Sequence, residues 1–162
     1  MPDQRGYNLS DKPARVEDYR MRELVADVVG LIDAAGVEQA SIIGHDWGGN
    51  VAWWLAMLHR ERVDKLGILG MPHPRILGRA LRRNPRQMAR SFYAGLFQLP
   101  MLPEAFIGFD EYRAFASLVA SSARDDTFHE GEISEYRQAW SQPDAMASML
   151  NWYRAYVRYA PA

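Results

Sequence analysis

The chain has 162 residues, a formal net charge of −1 at pH 7, and a composition that is 48% hydrophobic and 24% charged. This composition is typical of a globular protein with a sizeable core and differs from that of a disordered chain. The near-neutral charge predicts no nucleic-acid partner, because binding to a phosphate backbone needs a clear positive excess. The absence of cysteine excludes disulfides, thiolate metal sites and a cysteine nucleophile.

Membrane and export signals are not evident in the sequence. No stretch approaches the roughly 20 consecutive apolar residues of a membrane-spanning helix, and the first six residues are polar and typical of a turn. We therefore expect no membrane span, no signal peptide and a cytoplasmic location.

The first half of the chain predicts helices that alternate with buried strands. A loop is predicted over residues 1–16, a helix over 17–35, a strand over 40–43, a helix over 48–58 and a strand over 65–69. This alternation is typical of βαβ units with a parallel sheet.

The second half of the chain predicts helices only. Predicted helices cover residues 85–97, with Asn84 as the N-cap, then 110–121, with Asp110 as the cap, and then 132–140 and 143–158. A polar loop is expected over residues 122–131. Six arginines without an acid among them are interpreted as a solvated surface face, namely Arg75, Arg79, Arg82, Arg83, Arg86 and Arg90.

The segment 42–49, Ile-Ile-Gly-His-Asp-Trp-Gly-Gly, predicts a strand, a tight turn and a helix. It matches the G-x-S-x-G nucleophile elbow with Asp46 in place of serine. Gly44 and Gly48 leave the space that such a sharp turn needs. A carboxylate at this position can attack an sp3 carbon and form a covalent ester, and the helix N-terminus favours its ionised form. The alternative is that Asp46 only caps the following helix.

The ordered motifs of the chain resemble the epoxide hydrolase and haloalkane dehalogenase branch of the α/β-hydrolase superfamily. Four segments carry the resemblance: a D-x-R-G-x-G-x-S-like loop over 3–13, the aspartate elbow over 44–49, the Pro-His-Pro turn over 72–74, and Asn-Trp-Tyr-Arg over 151–154. Asn8 stands where the family commonly has glycine. The resemblance implies an α/β fold, with a partial α/β-hydrolase core over residues 1–74 and an all-helical cap over residues 75–162.

The resemblance also implies roles for individual residues. Asp46 corresponds to the nucleophile, and Trp47 to the residue whose backbone N–H forms part of the oxyanion hole and whose indole lines the pocket. His45, inside the elbow, is grouped with Trp47 at the oxyanion and substrate-binding positions. Tyr153 and, by a looser match, Tyr93 are expected to hydrogen-bond the epoxide oxygen. The expected substrate is a small hydrophobic epoxide, and neither a cofactor nor a metal is expected.

The base that would hydrolyse the ester has no candidate in the sequence. None of the four histidines (His45, His59, His73 and His129) follows a late strand, which is where this family keeps its base. The H-G-x-P oxyanion loop of the family has no counterpart either. We therefore expect a fragment that is inactive as it stands and at most accumulates an ester. Two alternatives stay open: a haloalkane or haloacid dehalogenase fragment, and a non-catalytic fragment that binds a hydrophobic small molecule.

Overall fold

The structure is a computed structural model that describes residues 1–124, 127–129 and 131–159. Its contacts divide the chain into two compact units. The sheet unit comprises residues 19–93 together with Tyr159, and the loop–helix unit comprises residues 1–18 and 94–158. The predicted division into a core over residues 1–74 and a cap over residues 75–162 has other boundaries than these units and stays a prediction.

The sheet unit contains the predicted βαβ arrangement. A 3₁₀ helix at Val16–Tyr19 ends at the first residue of this unit. The elements that follow are α1 at Met21–Ala34, β1 at Ala40–His45, α2 at Trp47–Leu58, a 3₁₀ turn at Arg60–Arg62, β2 at Val63–Leu69, α3 at Pro74–Arg83 and α4 at Pro85–Arg90. The two strands pair in parallel, with Ile43 opposite Gly67 and His45 opposite Leu69. Helix α2 is the crossover between them, so the α/β fold class is confirmed.

The core of the sheet unit lies between α1 and α2. Leu24, Val25 and Ile32 of α1 are buried, as are Val51 and Leu55 of α2. These positions recur at the three-to-four-residue spacing of one helix face, which is the pattern from which both helices were predicted. Each such side chain contributes about 1.5–3 kcal/mol when it is fully removed from water.

The expectation of buried strands is wrong for one face of the sheet. Side chains alternate between the two faces of a strand, and Gly44 faces the start of α2, whereas Ile43 points to the opposite face. Ile43 is 76% exposed and Leu69 is 54% exposed. The apolar runs therefore predicted the strands correctly, but helix α2 covers the face that carries Gly44 and leaves Ile43 uncovered.

The loop–helix unit is built from the N-terminal loop and the helices that follow residue 93. Its helices are most of α5 (Tyr93–Leu96), α6 (Leu102–Gly108), a 3₁₀ turn at Phe109–Tyr112, α7 (Arg113–Ser122), α8 (Glu132–Trp140) and α9 (Ala145–Arg158). Its apolar core contains Ile107, Ala116, Trp140, Met146 and Leu150. The described residues after Leu69 contain no strand, as the sequence predicted, and α8 has the predicted bounds.

Three predicted helices have different bounds in the structure. The helix predicted over 17–35 is divided, because Arg20 has a non-helical ψ of 147° between the 3₁₀ helix at Val16–Tyr19 and helix α1. The helix predicted over 85–97 begins as expected, because the Asn84 Oδ1 accepts from the backbone N–H groups of Arg86 and Gln87 at 3.0 and 3.4 Å. It ends at Arg90, where the Gln87 amide donates to the Ser91 hydroxyl at 3.0 Å. A separate turn of helix, α5, follows.

Asp110 does not cap a helix. Asp110, Glu111 and Tyr112 all have positive φ angles, of 51°, 52° and 65°. This left-handed run lies within the 3₁₀ turn and directly precedes α7, which begins only at Arg113. The Asp110 carboxylate instead accepts a bond from the Arg113 side chain at 3.3 Å.

The surface of the chain agrees with two further expectations. All six arginines between residues 75 and 90 are exposed, as a solvated face requires. Within the part of the chain that the structure describes, no helix is both long enough and apolar enough to cross a membrane.

Candidate active site

The elbow places Asp46 alone between strand β1 and helix α2. Its φ and ψ angles are 51° and −121°, a left-handed conformation that costs a non-glycine residue about 1–3 kcal/mol. The Asp46 N–H donates to the Leu69 carbonyl at 3.2 Å, and its own carbonyl accepts from the Asn50 N–H at 3.0 Å. The carboxylate is exposed and makes no capping hydrogen bond. The alternative in which this aspartate serves only as a helix cap is therefore not what the geometry shows.

Gly44 allows the helix to come this close to the strand. A β-carbon at position 44 would lie 2.4 Å from the carbonyl oxygen of Gly48 and 2.8 Å from the Cα of Gly49. Both contacts are with backbone, which cannot rotate away. These distances explain why the elbow has a glycine two residues before Asp46: any larger residue would collide with the backbone of α2.

Trp47 and His45 flank Asp46 on the two sides of the turn. Trp47 is the first residue of α2, and the first N–H groups of a helix point out of its N-terminal end. His45 is the last residue of β1, and its exposed imidazole lies beside Gly70 at the end of β2. By strand alternation His45 projects from the face opposite Gly44. Its predicted role in oxyanion or substrate binding stays a prediction.

The Pro-His-Pro turn is fixed on the elbow helix. The indole N–H of Trp53 in α2 donates to the Met71 carbonyl at 3.3 Å, and its ring meets the His73 ring at 4.9 Å. The His73 Nδ1 accepts from the Arg75 N–H at 3.2 Å and so caps α3. The sequence analysis assigns no role to Trp53. Its position in the second turn of α2 was the one sequence signal that could have pointed to this contact.

The two predicted tyrosines lie in different units. Tyr93, in the sheet unit, is the first residue of α5 and is 42% exposed. Tyr153, in the loop–helix unit, is half-buried in α9, with its ring edge-on to Phe97 at 4.9 Å. The Tyr153 carbonyl accepts from the Gln98 side-chain amide at 3.3 Å.

Two of the sequence motifs meet inside the loop–helix unit. The buried Trp152 donates its indole N–H to the Arg5 carbonyl at 2.9 Å, and the Tyr7 ring packs edge-on against it. Asn8 adopts a positive φ of 42° and donates to the Asp3 carboxylate at 2.9 Å. Asparagine tolerates this left-handed conformation better than most residues, which accounts for its presence at a glycine position.

A histidine–carboxylate pair is present in the sheet unit, but it is remote from the elbow. The His59 Nδ1 lies 3.6 Å from the Glu61 carboxylate. His59 follows the last residue of α2, whereas Asp46 precedes the first. Twelve helical residues separate them by about 18 Å. In the described ranges, no group of three histidine, aspartate or glutamate side chains could hold a metal ion.

Comparison with known proteins gives consistent matches. The sequence model of the family described as "alpha/beta hydrolase fold" matches residues 1–123. AB hydrolase superfamily protein YfhM of Bacillus subtilis is 44% identical over 95% of this chain, and epoxide hydrolase 4 of Mus musculus is 33% identical over 94%. The crystal structure of Bacillus megaterium epoxide hydrolase in complex with an inhibitor matches 94% of the chain with a TM-score of 0.87 and 31% identity. The chain covers 54%, 44% and 53% of these three proteins, about half of each.

Proposed function

Because this chain belongs to the alpha/beta hydrolase fold family, we propose that it carries the nucleophile of an epoxide hydrolase reaction and forms a covalent ester on Asp46. The names of its relatives support the substrate class, since several are epoxide hydrolases. The observation that carries the proposal is the exposed Asp46 carboxylate, raised at a strained strand-to-helix turn and not used in capping.

The first step is a displacement at carbon. The Asp46 carboxylate attacks a ring carbon of the epoxide, a carbon–oxygen ester bond forms, and the ring carbon–oxygen bond breaks. The epoxide oxygen keeps the electron pair of that bond and takes a proton from the Tyr153 hydroxyl, with Tyr93 as the second donor. A phenol is protonated at pH 7, so it can donate a hydrogen bond and then a proton, and such an acid contributes about 10²–10⁴-fold.

The second step, hydrolysis of the ester, is proposed to be slow in this chain. Water must attack the carboxyl carbon of the ester, and the Trp47 N–H would stabilise the resulting oxyanion. A base must remove a proton from that water. The His59–Glu61 pair lies about a helix length away from Asp46, and the His73 Nδ1 accepts a backbone N–H at the start of α3. We therefore propose that the ester accumulates.

The test is to incubate the 162-residue chain with a terminal aryl epoxide and to measure the intact mass. We expect one adduct of the epoxide's mass, located by peptide mapping at Asp46, and little diol. Asp46→Asn should form no adduct. The matched control is Asp64→Asn, since Asp64 is also exposed in the sheet unit and asparagine still provides an oxygen for the Ser41 hydroxyl, 3.0 Å away.

Other outcomes separate the alternatives. Sustained diol production would contradict the proposed block at hydrolysis. An adduct with a haloalkane but none with the epoxide would favour a dehalogenase, whose halide leaves without needing a proton. Binding of the epoxide without an adduct would favour the non-catalytic alternative. Tyr93→Phe should slow ester formation from the epoxide if Tyr93 is the second proton donor.

A further inference from the structure

Arg154, the residue after Tyr153, is only 7% exposed. Arginine is almost never fully buried unless it is paired, and the guanidinium here has four partners. Its Nε donates to the Phe97 carbonyl at 2.9 Å and its Nη2 to the Leu99 carbonyl at 2.8 Å. Its Nη1 lies 2.7 Å from the Glu104 carboxylate and 3.3 Å from the Asn151 amide oxygen.

These bonds fix the segment 97–99 on helix α9. Two carbonyl groups two residues apart are held by one planar guanidinium, whose fork geometry a lysine ammonium cannot reproduce. The segment in turn holds Tyr153. The ring of Phe97 meets the ring of Tyr153, and the side-chain amide of Gln98 bonds the Tyr153 carbonyl. The backbone of the segment is thus bonded to Arg154, and its side chains contact Tyr153.

We propose that Arg154 is a positioning residue, which holds segment 97–99 so that this segment fixes the orientation of the Tyr153 ring and hydroxyl. The inference rests on the proposed function, in which that hydroxyl protonates the epoxide oxygen. A proton donor displaced by about 1 Å can cost about 10²-fold in rate. Arg154 therefore acts on ring opening through Tyr153 and does not touch the substrate.

Glu104 separates this role from a contribution to stability. One of its carboxylate oxygens pairs with Arg154, and the other is buried without a hydrogen-bond partner among the described residues. Glu104→Gln weakens the ion pair but leaves the bonds from Arg154 to the Phe97 and Leu99 carbonyls in place. Arg154→Lys keeps a cation beside Glu104 but loses the double hold on the two carbonyls. Glu104→Gln therefore tests the ion pair alone, and Arg154→Lys tests the hold on the two carbonyl groups.

The experiment compares two substrates in the 162-residue chain. The rate of ester formation on Asp46 is measured by intact mass with a terminal epoxide and with a haloalkane of similar shape, whose halide departs without a proton. Arg154→Lys should slow the reaction of the epoxide about 10- to 100-fold and change that of the haloalkane less than about twofold. Glu104→Gln should lower the melting temperature but leave the ratio of the two rates unchanged. Arg154→Lys added to Tyr153→Phe should cause little further loss.

The other possible outcomes would overturn the positioning role of Arg154. Equal slowing of both substrates by Arg154→Lys, or losses that simply add in the double variant, would show that Arg154 only supports the fold. An epoxide rate that is unchanged in Arg154→Lys would also overturn the inference, while leaving the proposed function intact. No ester in the unaltered chain would overturn the proposed function and this inference with it.

Discussion

Replacement of Gly44 by alanine tests the packing of the elbow directly. The new β-carbon would lie 2.4 Å from the Gly48 carbonyl oxygen, and β-carbons in proteins essentially never approach other atoms within 3.0 Å. Because the obstructing atoms are backbone, strand β1 and helix α2 must separate. Overpacking typically costs about 1–3 kcal/mol, and we expect the upper end of that range for Gly44→Ala. At about 2–4 °C per kcal/mol, the melting temperature should fall by about 6–12 °C.

The matched control is Gly30→Ala. Gly30 lies exposed in helix α1, and a β-carbon there would meet nothing within 4 Å. Alanine is favoured over glycine in a helix by about 0.5–1 kcal/mol, so this variant should be slightly more stable than the unaltered chain. Urea unfolding followed by far-ultraviolet circular dichroism gives both free energies of unfolding, and intact mass after incubation with epoxide reports the state of Asp46. A Gly44→Ala protein as stable and as reactive as Gly30→Ala would refute the steric account of the elbow.

Three further predictions concern the loop–helix unit. Tyr153→Phe should slow ester formation from an epoxide about 10²-fold and leave that from a haloalkane unaffected in the intact-mass assay; equal losses would mean that the Tyr153 hydroxyl is not the proton donor. Trp152→Phe removes the indole N–H that donates to the Arg5 carbonyl and should lower the free energy of unfolding by about 1–3 kcal/mol in urea, whereas an unchanged value would show that this bond is not needed. The hydrogen bond from Arg15 lowers the pKa of Asp18, so its stabilising contribution is present above the pKa of the unfolded chain and is lost as the pH falls through the lower folded value. Arg15→Gln should raise the Asp18 pKa in an NMR titration, and a pKa that stays low would contradict this cause.

The parts of the fold that local sequence determines could be predicted. The βαβ unit follows from apolar periodicity and glycine punctuation, and the position of Asp46 follows from its glycine neighbours. The left-handed run at Asp110 could not be predicted, because a preference for caps does not reveal which residue begins the helix. The contacts of Tyr153 with Phe97 and Gln98 could not be predicted either. The partners of Arg154 and Trp152 lie up to 57 and 147 residues away along the chain, and one sequence does not show which distant carbonyls a side chain will meet.

The way the two units alternate along the chain has a consequence for synthesis on the ribosome. Apart from Tyr159, the sheet unit is one continuous stretch, residues 19–93, whereas the loop–helix unit is made of residues 1–18 and 94–158. Translation delivers about 5–20 residues per second, so residues 1–18 are made before the sheet unit, and their partner Trp152 leaves the peptidyl-transferase centre about 3–12 s after residue 93 does. All residues of the sheet unit except Tyr159 are therefore available for contact with one another before helix α9 is complete. The contacts of Arg5 and Tyr7 with Trp152 can form only after helix α9 has been made. A ribosome that stalls after residue 93 but before α9 would hold a chain in which these contacts have not formed.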